Sequence, residues 1–194
     1  MIFKLPLILA SQSPSRLRLL GSVKIIPDFV IPAHIDESER RGELPRHLAA
    51  RLAKEKATAV ADKVERGLIL AADSVAVVGR KILPKALSAE DIVYCMQQLS
   101  GRRHRIYTGI CVIRKTETER RTSSKLVSTI IKFKHLTKKE IEDYALLGEG
   151  LDKAGGCAIS GYAECFVEFI SGSYSNIIGL PLTQTMNMLR SFNY

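Results

Sequence analysis

Ile69-Leu70-Ala71-Ala72-Asp73-Ser74-Val75-Ala76-Val77-Val78-Gly79 is the stretch whose reading decides the fold. Apolar and small residues over 69–72 predict a buried strand, Val75 to Val78 resume it, and Gly79-Arg80 offer a tight turn into Lys81-Ile82-Leu83. A carboxylate stands where the apolar run breaks. An ionised Asp in such a run must be paired, bound to a metal or open to a cleft, because a bare charge in an apolar interior costs several kcal/mol. The plainer alternative is an Asp at a strand end that satisfies turn N–H groups. The rest of the chain weighs between them.

Upstream, Leu5 to Ala10 predict the first strand, followed at once by Ser11-Gln12-Ser13-Pro14-Ser15-Arg16. Ser13 suits an N-cap, Pro14 the first helical position, Leu17, Leu19 and Leu20 an apolar face, and Gly21 the end of a short helix. Hydroxyls and free N–H groups at a helix start favour a phosphate. Arg16 opposes the macrodipole if it serves only the helix, which is what a guanidinium directed at an anion would do; a solvent-facing Arg is the plainer reading. Lys24 to Pro32 predict a second strand, leading to Asp36 and Glu37, two carboxylates able to bind a hard cation through oxygen. His34 reads as a loop histidine. Leu44 to Val64 predict a long helix with Lys56 on or beside its apolar face, either covering apolar surface with its stem or reaching a phosphate.

Downstream, Lys85 follows Pro84 at a strand end. Ser88 to Asp91 read as a capping box opening a helix through Leu99. Arg105–Arg114 and Lys125–Phe133 predict a hairpin around a polar loop from Lys115 to Ser124, and Thr137 caps a further helix ending at Gly148. Asp152-Lys153-Ala154-Gly155-Gly156 combines a carboxylate, an amine and glycines that allow close backbone approach. Tyr162 to Ile170 predict a strand, residues 172–176 a turn, and Pro181 to Leu189 a terminal helix.

Composition bounds the possibilities. The 194 residues are 46% apolar and 25% charged, with a formal net charge of +9 and a sequence pI near 9.5. That balance suggests a polyanionic partner. The basic residues are dispersed apart from Arg102-Arg103-His104-Arg105, Arg120-Arg121 and Lys138-Lys139, with no aromatic-interleaved patch. A small phosphorylated ligand is favoured over a nucleic-acid partner. No run approaches the roughly 18 apolar residues of a membrane span. The opening apolar run is short, carries Pro6 and leads straight into a polar motif, so it reads as a strand and not a signal peptide; a cytoplasmic location without membrane contact is expected. Cys95, Cys111, Cys157 and Cys165 show no metal-ligand spacing and read as buried apolar residues. No linker, repeat or low-complexity tract divides the chain, which reads as one domain over 1–194.

Taken together, these segments resemble the Maf family of nucleoside triphosphate pyrophosphatases, the septum-formation-inhibitor-like proteins. The carrying residues are Leu9 to Arg16, Arg51 to Ala57, Ala72 to Val75, Leu83-Pro84-Lys85, Leu99 to His104, Tyr107-Thr108-Gly109, Asp152 to Gly156 and Ser173 to Pro181. They run in order over nearly the whole chain. The resemblance implies an α/β fold: a mixed twisted sheet flanked by helices, with two lobes around a nucleotide-binding cleft. It implies a homodimer, a divalent metal cation (Mg²⁺ or Mn²⁺) as cofactor, and hydrolysis of a nucleoside triphosphate to the monophosphate and pyrophosphate, with a role in pool sanitation or division arrest. By the same resemblance Asp73 is the proton acceptor or metal holder, Glu37 a metal ligand, and Lys56 and Lys85 neutralise charge on the departing pyrophosphate. Ser11, Ser13 and Arg16 would bind phosphates. Ser15, Ser74 and Ser160 stand where the family commonly has Arg, Thr and Gln, at positions tied to substrate choice. Asp152 and Lys153 belong to a segment that favours dTTP and UTP, and modified nucleotides are the other expected substrates. A nucleotide-binding regulator of septum formation with weak catalysis is the alternative function; a nucleic-acid binder is a third, and it would bind long polymers with a steep salt dependence.

Overall fold

Apolar runs bounded by turn residues become strands of one open mixed sheet in this computed structural model, which describes residues 5–194. The strands are β1 (Leu7–Leu9), β2 (Phe29–Val30), β3 (Gly67–Val78), β4 (Lys81–Leu83), β5 (Arg103–Lys115), β6 (Arg120–Phe133) and β7 (Val167–Ser171). They lie in the order β2-β1-β3-β5-β6-β7, with β4 beside β3. β1 runs parallel to both neighbours and places Leu7, Ile8 and Leu9 opposite Leu68, Ile69 and Leu70. β4 and β7 pair antiparallel with β3 and β6. Helices flank the sheet: α1 (Pro14–Ser22), α2 (Pro45–Ala61), α3 (Ala89–Leu99), α4 (Lys138–Leu147), α5 (Tyr174–Ile178) and α6 (Leu182–Arg190). The α/β class and the mixed, helix-flanked sheet expected from the sequence are the architecture found.

Local chemistry sets several boundaries. Ser88 with Asp91 and Thr137 with Glu140 form reciprocal capping boxes, so each pair satisfies orphan N–H groups at the start of α3 and α4. Gly148 closes α4 in the left-handed conformation (φ 69°). Pro14 opens α1 as expected, but the Ser13 side chain makes no capping bond and the helix continues through Gly21 to Ser22.

The chain forms two compact units, each assembled from separated segments. The first takes the described residues up to Asp73, then Thr108–Val127 and Gly179–Tyr194; the second takes Ser74–Tyr107 and Ser128–Ile178. In the first unit Leu7, Leu9, Leu70, Ile110 and Leu189 pack in one core cluster, and Ile8, Ala53, Val60, Ile69 and Ile113 in another. α2 approaches β5 so closely that a Cβ on Gly109 would lie 2.2 Å from the Ala49 carbonyl oxygen, so only glycine fits there. In the second unit Ile92, Met96, Phe133, Tyr144 and Phe166 centre the core.

Several sequence expectations shift. β3 does not break at Asp73: the strand is continuous from Gly67 to Val78, and Asp73 is interior. The second strand shrinks to two residues, because Pro27 lacks a donor and Lys24 is left-handed (φ 60°). Asp28 compensates by accepting from the Leu7 N–H at 2.7 Å. The polar stretch 120–124 is strand, not loop, so the β5–β6 connection is a four-residue turn closed by the Thr116 N–H on the Glu119 carbonyl. Tyr162–Phe166 is a 3₁₀ helix before β7, and the turn expected over 172–176 becomes α5, whose Asn176 N–H is bound by Ser173 Oγ. Cys95 and Cys111 are buried as expected, whereas Cys165 is exposed. Among the described residues, no helix is long and apolar enough to cross a membrane.

Candidate active site

Asp73 projects from the middle of β3 and Lys56 from the buried face of α2, both in the first unit. The apolar positions Leu48, Leu52, Ala53, Ala57 and Val60 turn that helix face inward, and Lys56 falls among them. Its amine is not solvated by default. It donates to Asp73 Oδ1 at 2.6 Å and lies 2.9 Å from Glu37 Oε1. The Asp73 and Lys56 side chains are each 9% exposed, and Glu37 is 41% exposed. Asp73 is therefore the paired buried charge that the sequence allowed, not a turn cap, and Lys56 does more than cover apolar surface.

Arg16 forms the other half of this site. Its Nε donates to the Gly179 carbonyl at 2.9 Å and its Nη1 to Ser11 Oγ at 3.0 Å, which fixes the planar guanidinium on two sides. Ser11 Oγ also accepts from the Ser13 N–H at 3.2 Å. Burial draws the Arg16 guanidinium below its usual value, and the charges of Asp73 and Glu37 act against that shift. Arg16 thus lies within electrostatic reach of both carboxylates. It is half-buried and held, not solvent-facing. Ser15 sits in the first turn of α1, partly exposed.

The remaining residues singled out from the sequence belong to the second unit. Ser74 follows Asp73 on β3, partly buried. Lys85 forms a bridge with Ala154, and Ala86 bridges Leu151. The Asp152 N–H donates to the Ala86 carbonyl at 2.9 Å and the Gly155 N–H to the Pro84 carbonyl at 2.9 Å, so backbone pairing joins the Lys85 segment to Asp152-Lys153. Gly155 and Gly156 are left-handed there (φ 71° and 59°), which explains the consecutive glycines. Ser160 lies exposed in a turn before the 3₁₀ helix.

Two contributors lie in segments that carry the family resemblance, but the sequence assigns neither a role. Gly179 supplies a backbone carbonyl to Arg16, and no side chain marks it. Arg51 binds Glu43, Glu55 and the Ser38 carbonyl. Its spacing of four residues from Glu55 on one helix is the only local sign.

The donor set suits a hard divalent cation. Asp73 and Glu37 both contribute carboxylate oxygens and already share one cationic partner, Lys56. Among the described residues, no group of three or more His, Cys, Asp or Glu could hold a metal ion. Such an ion would draw its other ligands from phosphate and water, the usual habit of Mg²⁺.

The chain is similar to known proteins over nearly its whole length. Residues 6–192 match the family model described as Maf-like protein. The chain is 56% identical over 191 residues to a nucleoside triphosphate pyrophosphatase of Rickettsia rickettsii (strain Sheila Smith), covering 98% of this chain and 89% of that protein. It is 57% identical over 192 residues to the protein of the same name from Rickettsia akari (strain Hartford), covering 98% and 95%. The corresponding protein of Rickettsia felis (strain ATCC VR-1525 / URRWXCal2) is 56% identical over 191 residues, covering 98% and 94%.

Proposed function

The chain belongs to the Maf family, and we propose that it is a nucleoside triphosphate pyrophosphatase, hydrolysing the triphosphate to the monophosphate and pyrophosphate. The observation that carries this reading is the buried Lys56 ammonium bridging Asp73 and Glu37, with a fixed Arg16 within electrostatic reach. A buried and an exposed carboxylate around one buried amine, beside a guanidinium at a helix start, suit a polyphosphate undergoing attack by water.

In this reading the α1 N-terminus, Ser11, Ser13 and Arg16 receive phosphate oxygens, with Arg16 preorganised by its bonds to Gly179 and Ser11. Asp73 Oδ1 is held by Lys56, and Oδ2 takes the proton of the attacking water. The water oxygen forms a bond to the α-phosphorus while the bond to the α–β bridging oxygen breaks, and pyrophosphate leaves. Lys56 and Lys85 offset the charge that accumulates on it. Mg²⁺ or Mn²⁺, held by Asp73 and Glu37, would supply Lewis acidity toward phosphate oxygens. Ser15, Ser74, Asp152, Lys153 and Ser160 select the base and sugar, with dTTP, UTP or modified nucleotides as substrates. Ser160 brings a short hydroxyl in place of an amide, which favours a base read by fewer hydrogen bonds. A cytoplasmic homodimer acting in nucleotide-pool sanitation, without membrane contact, completes the proposal.

The test is pyrophosphate release from a panel of canonical and modified triphosphates with Mg²⁺ or Mn²⁺, beside Asp73→Asn. Turnover that collapses in the variant supports the enzyme and identifies its base preference. Nucleotide binding without release by the unaltered protein would overturn it in favour of a nucleotide-binding regulator.

A further inference from the structure

Glu37 sits in a segment with no helix or strand: residues 31–44 run between β2 and α2 without regular structure. Something other than a backbone ladder must hold its carboxylate at Lys56. A cavity lined by Ile35, Asp36, Ser38, Arg40, Arg51 and Glu55 lies between this segment and the helix, so close apolar packing is not the answer there. What crosses is Arg51. Its Nε and Nη2 grip Glu43 Oε1 and Oε2, each at 2.7 Å. Its Nη1 donates to Glu55 Oε2 at 2.9 Å and its Nη2 to the Ser38 carbonyl at 2.9 Å.

The two residues flanking Glu37 are therefore fixed. The Ser38 N–H donates to Asp36 Oδ1 at 2.9 Å, and the Ser38 carbonyl is held by Arg51. The Arg51 and Glu43 side chains are 13% and 10% exposed, which places this forked pair among the strong ones. By contrast Arg40 with Glu55 is largely exposed and contributes little. Arg51 and Lys56 share one helix, so the same rigid element that presents the amine also anchors the segment bearing its carboxylate partner.

We infer that Arg51 is a positioning residue, holding the 36–43 segment on α2 so that Glu37 meets Lys56 and the divalent cation. The cation clause rests on the function proposed above; the positioning clause does not. A lysine cannot reproduce the fork, since one ammonium cannot span Glu43, Glu55 and Ser38 in a single plane.

The experiment compares the full chain with Arg51→Lys, Glu43→Gln, Glu37→Gln and the Arg51→Lys/Glu37→Gln double variant. Amide hydrogen exchange over residues 36–43 is read beside exchange in β3, and Mn²⁺ binding is read by electron paramagnetic resonance with a non-hydrolysable UTP analogue. Arg51→Lys and Glu43→Gln should each speed exchange over 36–43 by about tenfold or more while β3 is unchanged. Arg51→Lys should weaken Mn²⁺ binding about tenfold, and add no further weakening once Glu37 is Gln. Equal weakening in both backgrounds, or unchanged exchange over 36–43, would overturn the assignment. If the unaltered protein neither binds Mn²⁺ nor turns over any triphosphate, the proposed function fails, and the exchange result alone decides the role of Arg51.

Discussion

The Lys56 ammonium donates to Asp73 Oδ1 across 2.6 Å, and both side chains are nine-tenths removed from solvent. The pair is unequal. Lys56 has Glu37 as a second partner, so removing the Asp73 charge leaves the amine still matched, whereas removing the amine leaves Asp73 without this counter-charge.

Lys56→Met should therefore destabilise the protein by about 3–5 kcal/mol, the scale for breaking a buried pair at one end. Asp73→Asn should cost distinctly less, about 1–2 kcal/mol. Both should abolish pyrophosphate release. Urea denaturation checks the asymmetry; equal losses would show that Glu37 does not share the amine in solution.

Arg16→Lys removes the two-sided anchorage on Gly179 and Ser11 while keeping the positive charge. A loss of about 100-fold in kcat/KM is expected, with a change in melting temperature of only a few degrees. Steady-state kinetics beside calorimetry separates this from a folding defect. A variant with unchanged kcat/KM would make Arg16 a structural clasp only.

His104 sets a pH dependence in the second unit. It is 4% exposed, stands edge-on to Phe133 at 4.9 Å, and burial lowers its pKa from 6.5 to about 4. Between those values the unfolded chain binds the proton and the folded one does not. Stability from this group is full above pH 6.5 and falls as the pH drops toward 4, by at most about 1.4 kcal/mol per pH unit. Melting temperatures from pH 7 to 5 should decline in the parent protein and flatten in His104→Phe. The same slope in both would assign it to other groups.

Gly109→Ala places a Cβ 2.2 Å from the Ala49 carbonyl oxygen. β5 and α2 must then separate, at a cost of about 1–3 kcal/mol. Because α2 carries Lys56, kcat should fall along with the melting temperature. A neutral substitution would mean that the helix can shift without disturbing the site.

Much of this fold is legible in the amino-acid sequence. The Ser88 and Thr137 helix starts, the β3–β4 hairpin at Gly79 and the inward face of α2 each follow from short-range patterns in which propensity and burial agree. Failures occurred where a distant partner decided the outcome. Asp73 looked like a break in β3 because its partner Lys56 lies 17 residues away on another element. Residues 120–124 looked like loop because their exposed side chains are polar, yet pairing with β5 keeps them extended. Tyr162 and Phe166 suggested a strand, but their rings meet at 5.7 Å within one 3₁₀ turn, and Phe166 also meets Tyr144 at 5.7 Å. The grouping of Ser11, Arg16, Glu37, Lys56 and Asp73 was suggested by family resemblance; the acceptor role of Gly179 had no side-chain signature.

The bond from Arg16 to Gly179 joins positions 163 residues apart. During synthesis the N-terminal segment leaves the ribosome first; segment 108–127 of its unit follows the first part of the second unit, and segment 179–194 follows only after both parts. Arg16 can acquire its carbonyl acceptor only when translation has passed Gly179. A nascent chain stalled anywhere before that point lacks the clasp, so chains interrupted late in translation should still lack a fully organised guanidinium.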